Sequence, residues 1–283
     1  GDECPHDENM DNKVDDYLLT LRKNGFIIFE GAHPELAEYF QRKHTNFIKS
    51  KKPCDQYENL VLDNYDQKLV SLIANPLYLS IMSKYYNGRQ PYLRCAPSLK
   101  ATLPISKRSP TKKMLRNRSK LNCDWHFDTV NMLQMHFFLI DVSEKDTHML
   151  YSLNSHSNHR VSINKDDYCY SDEYILSNYD VIPFIGKKGT VVLWDSNGIH
   201  CANPIPNRSR LLIQALYSPG NDILTKKGDS NLRIKLNLNL MKKLSPISKN
   251  IFKFISLDGE KNTKKDLRAK SQKIYYESKF NRE

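Results

Sequence analysis

Two side chains of metal-binding type stand two residues apart in the segment Cys-Asp-Trp-His-Phe-Asp-Thr, and a third candidate follows much later in the chain. His126 and Asp128 lie at positions i and i+2, and residues with this spacing on a β-strand project from the same face. A histidine on a neighbouring strand, for which His200 is the candidate, would complete a set of two imidazoles and one carboxylate. Such a set leaves open positions on the metal and suits non-haem Fe(II) oxygen chemistry.

Three further polar side chains follow this motif. Gln134 and His136 share the parity of the two ligands if no bulge interrupts the strand that we predict from His126 to Val142. Either side chain could therefore hydrogen-bond a bound co-substrate or substrate, although a core histidine bonded to backbone is the alternative for His136. Thr129 has the opposite parity but follows the motif directly, so we keep it as a candidate.

The elements that must position these residues change in character along the chain. Helical patterns and one early strand come first, and β-like segments follow after Gly88. We predict helices over Asp15–Leu21, Pro34–Ile48 and Gln67–Tyr86, the last interrupted at Asn75-Pro76, and strands over Phe26–Phe29, Tyr92–Thr102, His126–Val142, His148–Leu153, Thr190–Trp194 and Arg210–Tyr217. This order predicts an α+β, mainly β fold, in which N-terminal helices pack on one face of a jelly roll.

Charge divides the chain into a nearly neutral body and a basic end. From Lys226 to Glu283 there are 16 Lys and Arg against 6 Asp and Glu, whereas the remaining residues carry 27 against 26. We predict a vector-derived or disordered segment at residues 1–14, one domain at 15–221 and a basic, helical extension at 222–283. The extension could touch an acidic partner, an acidic membrane surface or nucleic acid, or be a solvated appendage.

Cysteine usage and hydropathy limit the class of protein. None of the six cysteines forms a CxxC pair, so we predict reduced thiols and a cytoplasmic location. The longest apolar runs are far too short to cross a bilayer, so we predict no transmembrane segment. No phosphate-binding loop of the GxxxxGK[ST] kind and no GxSxG elbow occurs in the sequence.

Several motifs together resemble those of a known family. The sequence has a WHxD motif at Trp125–Asp128, a strand that ends in Ile-Asp-Val, an Asn-Ser-His where the family has Gly-Ser-His, and two later strands similar to its distal-histidine and co-substrate strands, Gly189–His200 and Asn207–Leu211. Over about residues 15–218 the chain is similar to the phytanoyl-CoA dioxygenase family. Asn154 replaces a glycine, and asparagine tolerates left-handed backbone angles better than most residues.

This resemblance implies a fold, cofactors and roles. The family is a branch of the Fe(II)/2-oxoglutarate oxygenases, which have a cupin-like double-stranded β-helix. It implies Fe(II) at His126, Asp128 and His200, with 2-oxoglutarate and O2 as co-substrates. Arg210 would bind the distal carboxylate of 2-oxoglutarate, and Arg208 has the same parity and is the alternative. Because the carboxylate is present, we expect C–H hydroxylation with release of succinate and CO2 rather than halogenation, while desaturation and ring formation stay open.

The substrate is expected to be a small anionic or carrier-linked metabolite. Lys100 and the segment from Lys107 to Lys120, which contains no acidic residue, could attract an anion, although the segment could equally be a solvated loop. Trp125, Phe127 and Trp194 could form an apolar wall of the pocket, but core packing is the commoner use of such side chains.

Two other classes of protein stay open at this point. The first is a non-catalytic or differently metallated jelly-roll binding protein, because the same nitrogen and oxygen ligands also hold Zn, Ni or Mn. The second is a nucleic-acid-associated protein that uses the basic extension. The sequence shows no clear aromatic stacking platform interleaved with the basic residues, which weakens this second class.

Overall fold

The computed structural model describes residues 8–55, 57–107, 123–128, 131–157, 170–219, 233–236, 240, 242–252 and 256–257. Its helices are α1 Glu8–Asn24, α2 Pro34–Lys43, α3 Thr45–Lys49, α4 Gln67–Ile73, α5 Pro76–Tyr85, α6 Asp172–Asn178 and α7 Pro246–Asn250. Helix α1 begins inside residues 1–14, which the sequence predicted to be vector-derived or disordered, and Val14 of this helix is buried in the core.

The helix predicted over residues 34–48 is two helices, because the chain turns at His44, the residue that ends α2 and precedes α3. The interruption predicted at Asn75-Pro76 is confirmed. Asn75 caps α5 by accepting a hydrogen bond from the backbone N–H of Leu77, and a proline is tolerated in the first turn, where its missing N–H has no partner to lose.

The strands are β1 Phe26–Phe29, β2 Tyr57–Val61, β3 Asn64–Tyr65, β4 Pro91–Leu93, β5 Ser98–Thr102, β6 Leu133–Phe138, β7 His148–Ser152, β8 Val181–Phe184, β9 Val191–Asp195, β10 His200–Asn203, β11 Arg210–Pro219, β12 Arg233–Leu236 and β13 Ser256–Leu257. The strand predicted from His126 to Val142 is wrong in extent: β6 covers only its middle. His126 instead makes an isolated bridge to His200. Strands β2, β3, β8 and β10 and helix α6 were not predicted, and β12 and β13 lie in the extension for which the sequence predicted helix.

Two antiparallel sheets face each other. The major sheet has seven strands in the order β1-β9-β6-β11-β5-β2, with β4 also paired to β11, and the minor sheet has the order β10-β7-β8. A third small sheet joins β13, β12 and β3. This is the α+β architecture of antiparallel sheets that the sequence predicted.

The core has two layers, one on each face of the major sheet. On one face, apolar side chains such as Phe137 and Ile213 pack against the N-terminal helices, for example against Phe40 of α2 and Leu79 of α5. On the other face, Trp194 packs with aromatic side chains of the minor sheet. The prediction that the N-terminal helices cover one face of the sheets is confirmed.

The described part of the C-terminal region packs against the domain. Ile251 and Phe252 are buried in the larger core layer, and the backbone N–H of Leu93 donates to the carbonyl of Ile251 at 3.0 Å. The hydroxyl of Ser248 in α7 donates to the carbonyl of Ala74 at 2.7 Å. Among the described residues no helix is both long and apolar enough to cross a membrane.

Candidate metal centre and its pocket

Backbone hydrogen bonds bring the three candidate ligands together. The backbone N–H of each of His126 and His200 donates to the carbonyl of the other, with nitrogen-to-oxygen distances of 3.0 and 2.8 Å. The backbone N–H of Asp128 donates to the carbonyl of Ser196 at 2.8 Å. Residues paired in this way project their side chains to the same side. The ligand segment 123–128 is therefore fixed to the turn and strand that carry His200, although it is not part of β6.

The donor atoms of these three side chains converge. One ligand atom from each of His126, Asp128 and His200 lies within 4.8 Å of the other two, and among the described residues this is the one such group of three His, Cys, Asp or Glu. Nδ1 of His126 donates to the carbonyl of Asp124 at 2.7 Å, and Nδ1 of His200 donates to that of Gly198 at 2.8 Å. In both rings Nε2 is therefore the nitrogen with a lone pair for a metal, as in metal-binding histidines generally.

The turn before His200 is held from two directions. Asp195, at the start of this turn, is buried. Its carboxylate accepts hydrogen bonds from the hydroxyl of Tyr85 in α5 at 2.6 Å and from the backbone N–H of Asn197 at 2.8 Å. The hydroxyl of Tyr151 in β7 donates to the carbonyl of Asp195 at 3.0 Å. At Gly198 an added Cβ would lie 1.8 Å from this hydroxyl oxygen, so the turn requires glycine there.

The Asn-Ser-His motif supports the same turn. Asn154 adopts a left-handed backbone with φ of 59°, which confirms that asparagine can replace the glycine. The hydroxyl of Ser155 accepts a hydrogen bond from the backbone N–H of Ile199 at 2.7 Å and donates to the carbonyl of Ser152. Nε2 of His156 donates to the carbonyl of Arg22 at 2.9 Å, which places this imidazole outside the metal group.

A pocket opens between the two sheets at this group. Its walls come from the ligand segment and from both sheets: Tyr57, Lys100, His126, Asp128, Gln134, His136, Met149, Trp194, His200, Ala202, Arg210, Leu212 and Gln214. Arg210, Leu212 and Gln214 alternate along β11, so one face of this strand forms the floor of the pocket.

Two cations lie side by side in this pocket. Arg210 of β11 is opposite Thr102 of β5, and Leu212 of β11 is opposite Lys100 of β5. The two charged side chains are therefore diagonal neighbours on one sheet face. Burial lowers the pKa of Arg210 to about 10, and burial together with the Arg210 charge lowers the pKa of Lys100 to about 8. Nζ of Lys100 lies 4.7 Å from the centre of the Tyr57 ring.

Neither cation is neutralised within the described part of the chain. No carboxylate there forms an ion pair with Lys100 or Arg210. Nε of Arg210 and the hydroxyl of Thr102 are buried, and neither has a hydrogen-bond partner among the described residues. Because a buried cation without an anion is costly, this end of the pocket fits an anionic ligand.

A row of polar side chains extends from Asp128 along the pocket floor. Nε2 of Gln134 donates to Oδ2 of Asp128 at 2.9 Å, and Nε2 of Gln214 lies 2.5 Å from Oε1 of Gln134 and 3.2 Å from Nε2 of His136. Burial, and next the charges of Arg210 and Lys100, hold the pKa of His136 well below its ordinary value. His136 is therefore neutral at neutral pH.

The three aromatic residues that the sequence suggested for the pocket wall do not all lie in the pocket. Trp194 lines the pocket, whereas Trp125 packs in a separate buried cluster and donates its Nε1 to Asp172 at 2.8 Å. Phe127 lies beside Tyr170, with ring centres 6.5 Å apart. Neither Trp125 nor Phe127 is among the pocket-lining residues, because alternate residues of the extended ligand segment project to opposite sides.

Other candidates lie outside the pocket or outside the described residues. Arg208 is exposed and does not line the pocket, in contrast to Arg210. Thr129 and residues 108–120 of the basic segment lie outside the described residues. No disulfide links Cys54, Cys95, Cys123 and Cys201, and the last two are buried.

The sequence prediction missed five pocket residues: Tyr57, Met149, Ala202, Leu212 and Gln214. Two of them carried a usable signal, because Leu212 and Gln214 have the strand parity of Arg210. The other three required knowledge of which strands face one another.

Similarity to known proteins is found at the level of structure. No protein-family model matches the sequence, and no curated protein matches it. Solved structures do match. SnoN, described as a non-heme alpha-ketoglutarate-dependent epimerase from nogalamycin biosynthesis, aligns at 12% identity and a TM-score of 0.55, covering 74% of this chain and 84% of SnoN.

A second SnoN structure, in complex with Fe3+, alpha-ketoglutarate and nogalamycin RO, aligns at 11% identity and a TM-score of 0.54, over 75% of this chain and 85% of that one. EctD from S. alaskensis in its apoform aligns at 13% identity and a TM-score of 0.53, over 74% and 78%. The chain shares the fold of these proteins. Identities this low support the fold alone.

Proposed function

We propose that the chain is an Fe(II)- and 2-oxoglutarate-dependent dioxygenase similar to the phytanoyl-CoA dioxygenase family, which hydroxylates a C–H bond of a small, anionic or carrier-linked metabolite and releases succinate and CO2. One observation carries the proposal. Two imidazoles and one carboxylate converge within 4.8 Å in a pocket that also holds the unneutralised guanidinium of Arg210. A metal site beside an anion site is the arrangement that a 2-oxo dicarboxylate requires.

The residues present fit both implied groups. Nε2 of His126, Nε2 of His200 and the Asp128 carboxylate form the set that holds Fe(II) and leaves positions for a bidentate 2-oxo acid and for O2. When bound, the iron would activate O2, which is the oxidant, for cleavage of a C–H bond, and oxidative decarboxylation of 2-oxoglutarate to succinate and CO2 would supply two of the four electrons that O2 takes up. The donor Nε of Arg210, which has no partner among the described residues, fits the distal carboxylate of that co-substrate.

Three pocket residues then have defined roles. Arg210 binds the distal carboxylate through charge-assisted hydrogen bonds, and Lys100, its diagonal neighbour, adds a second positive charge there. This moves Lys100 from the substrate-binding role expected from the sequence to co-substrate binding. Trp194 packs against the ring of His200 with ring centres 4.7 Å apart, so it holds that imidazole and keeps water from its apolar side.

The type of reaction must be read from the product. The Asp128 carboxylate fills the position that is a small residue in halogenating relatives, which supports oxygen transfer. SnoN, however, is described as an epimerase, so this fold with these co-substrates also supports a change of configuration without oxygen insertion. A product that has gained one oxygen atom would establish hydroxylation, and an isomer of the substrate would establish epimerisation.

The primary test measures metal-dependent consumption of 2-oxoglutarate. Protein loaded anaerobically with Fe(II) and 2-oxoglutarate should release succinate on exposure to O2, and anionic metabolites and carrier-linked acids should be screened for stimulation. Asp128→Ala should reduce release to the level of buffer. Asp124→Ala is the matched control, because this carboxylate lies in the same segment and only its backbone carbonyl is used by His126.

Two outcomes would contradict the proposal. The first is full succinate release by the Asp128→Ala protein. The second is metal binding by the wild-type protein with no binding of 2-oxoglutarate beside the metal, which would indicate a differently metallated jelly-roll binding protein instead.

A further inference from the structure

The polar row on the pocket floor has a fixed direction that begins at the Asp128 carboxylate. We propose that Gln134 and Gln214 are positioning residues, which restrict the orientation of this carboxylate and hold His136 as a neutral imidazole with its proton on Nδ1. The inference rests on the proposed metal-binding role of Asp128, because the row acts on the metal through that side chain alone.

The first step is the orientation of the Gln134 amide. An ionised carboxylate only accepts hydrogen bonds, so the group of Gln134 that faces Oδ2 of Asp128 must be its NH2, at 2.9 Å. The opposite amide orientation would place two oxygens against each other. The carbonyl Oε1 of Gln134 therefore points away from Asp128 and needs a donor.

The second step carries this orientation to the next amide. Oε1 of Gln134 lies 2.5 Å from Nε2 of Gln214, so the NH2 of Gln214 must supply the donor. An amide NH2 has two hydrogens. The second points toward the other close neighbour of this nitrogen, Nε2 of His136, at 3.2 Å.

The third step sets the tautomer of the histidine. Because Nε2 of His136 accepts from an NH2 group, it carries no proton, and the neutral ring must carry its proton on Nδ1. Protonation of both nitrogens would place two donors against each other and add a third positive charge beside Lys100 and Arg210. His136 is consequently a residue of the pocket lining whose ring donor is Nδ1.

The sheet register builds this row into the fold. Gln214 of β11 is directly opposite His136 of β6, and Gln134 follows two residues away on the same face. Side chains at directly opposite positions have Cβ atoms roughly 5 Å apart, and diagonal ones remain within reach of long side chains. A shift of either strand by one residue would turn the whole row away from the metal group.

The first experiment measures metal affinity rather than turnover. Co(II) binding to the wild-type protein, Gln134→Leu and Gln214→Leu is titrated by absorbance. Loss of a hydrogen-bond partner of a metal ligand typically weakens metal binding by roughly 10- to 100-fold. We expect a loss of about that size for Gln134→Leu, and a smaller loss in the same direction for Gln214→Leu, which affects the carboxylate only through Gln134.

A matched control separates positioning from simple loss of stability. Gln41→Leu removes a part-buried amide that donates to the carbonyl of Leu139 at 2.6 Å, outside the pocket. It should lower the melting temperature and leave Co(II) affinity unchanged. If folded Gln134→Leu protein binds Co(II) as tightly as the wild type, the positioning role is refuted.

The second experiment reads the proton on His136 directly. Nitrogen NMR of protein labelled with 15N-histidine, assigned with a His136→Asn variant, distinguishes protonated from unprotonated ring nitrogens. The wild-type ring should show one protonated nitrogen, Nδ1, across neutral pH. In Gln214→Glu the new carboxylate accepts from the ring, so Nε2 should become protonated. A wild-type ring with its proton on Nε2 would overturn the inference.

These measurements separate failure of the inference from failure of the proposed function. If the wild-type protein binds Co(II) but never consumes 2-oxoglutarate, the proposed dioxygenase function is refuted. The Co(II) affinities of the glutamine variants and the NMR measurement of His136 then still test the positioning role. A wild-type protein that binds no Co(II) refutes the metal role of Asp128 and with it the positioning role. An active enzyme whose glutamine variants keep wild-type Co(II) affinity refutes the inference alone.

Discussion

Replacement of Arg210 by leucine should change two quantities in opposite directions. Two charge-assisted hydrogen bonds of about 1.5–3 kcal/mol each would be lost from bound 2-oxoglutarate. Lys100 and Thr102 remain beside the same carboxylate, so the net loss should lie near the lower end, about 3 kcal/mol, or roughly 100-fold in dissociation constant. The ligand-free variant should be more stable than the wild type, because a buried cation without an anion has been removed.

The assay is calorimetric titration of 2-oxoglutarate into protein loaded anaerobically with Mn(II), together with thermal unfolding of the ligand-free protein. Arg208→Leu is the matched control, since this exposed arginine has the same strand parity and does not line the pocket. It should change neither quantity. An Arg210→Leu protein with wild-type affinity for 2-oxoglutarate, or an affinity loss in Arg208→Leu instead, would refute the assignment of the anion site.

Four further predictions concern protonation and the turn before His200. The pKa of Lys100 is lowered to about 8 from 10.5, so the ligand-free protein should gain stability as pH rises between these values. A bound carboxylate raises that pKa, so 2-oxoglutarate binding above pH 8 should take up a proton, which titrations in two buffers would detect and Lys100→Met would abolish. Gly198→Ala should destabilise the fold by about 1–3 kcal/mol, because its Cβ would overlap the Tyr151 hydroxyl; unchanged chemical denaturation would contradict this. Tyr85→Phe should cost about 1–3 kcal/mol in the same assay, since the buried Asp195 loses a donor, and a stability equal to wild type would show that the bond contributes nothing.

The three metal ligands could be predicted from the sequence because the patterns that indicate them lie within short segments. The spacing of His126 and Asp128 and the apolar strand before His200 stand in short segments, and the structure brings the three side chains together. The physical route differs from the one predicted. The ligand segment is an extended stretch tied to His200 by backbone bonds rather than the start of the strand that carries Gln134 and His136.

The parts that sequence could not supply depend on contacts between distant segments. Tyr85 and Asp195 are 110 residues apart, and nothing near either residue marks the other as its partner. Gln214 needed only the parity of Arg210 to be placed on the pocket floor, but its partner Gln134 required the register of β11 against β6. Trp125 and Phe127 were assigned to a pocket wall because the direction of each side chain was unknown until the segment was placed.

The metal ligands and the anion site are held by different parts of the fold, and this explains how the pocket combines them. The ligand backbones of His126, Asp128 and His200 are tied to one another and to the turn at Ser196. Arg210 and the two glutamines instead project from central strands of the major sheet, whose opposite face carries the larger core layer. The hydrogen bond from Gln134 to Asp128 joins these two parts at the carboxylate itself, whereas the bonds from Ser196 to the carbonyl of Met132 join the turn to the start of β6. Because the Gln134 bond spans the boundary between them, its loss should allow the carboxylate to move relative to the anion site even where both parts keep their own structure.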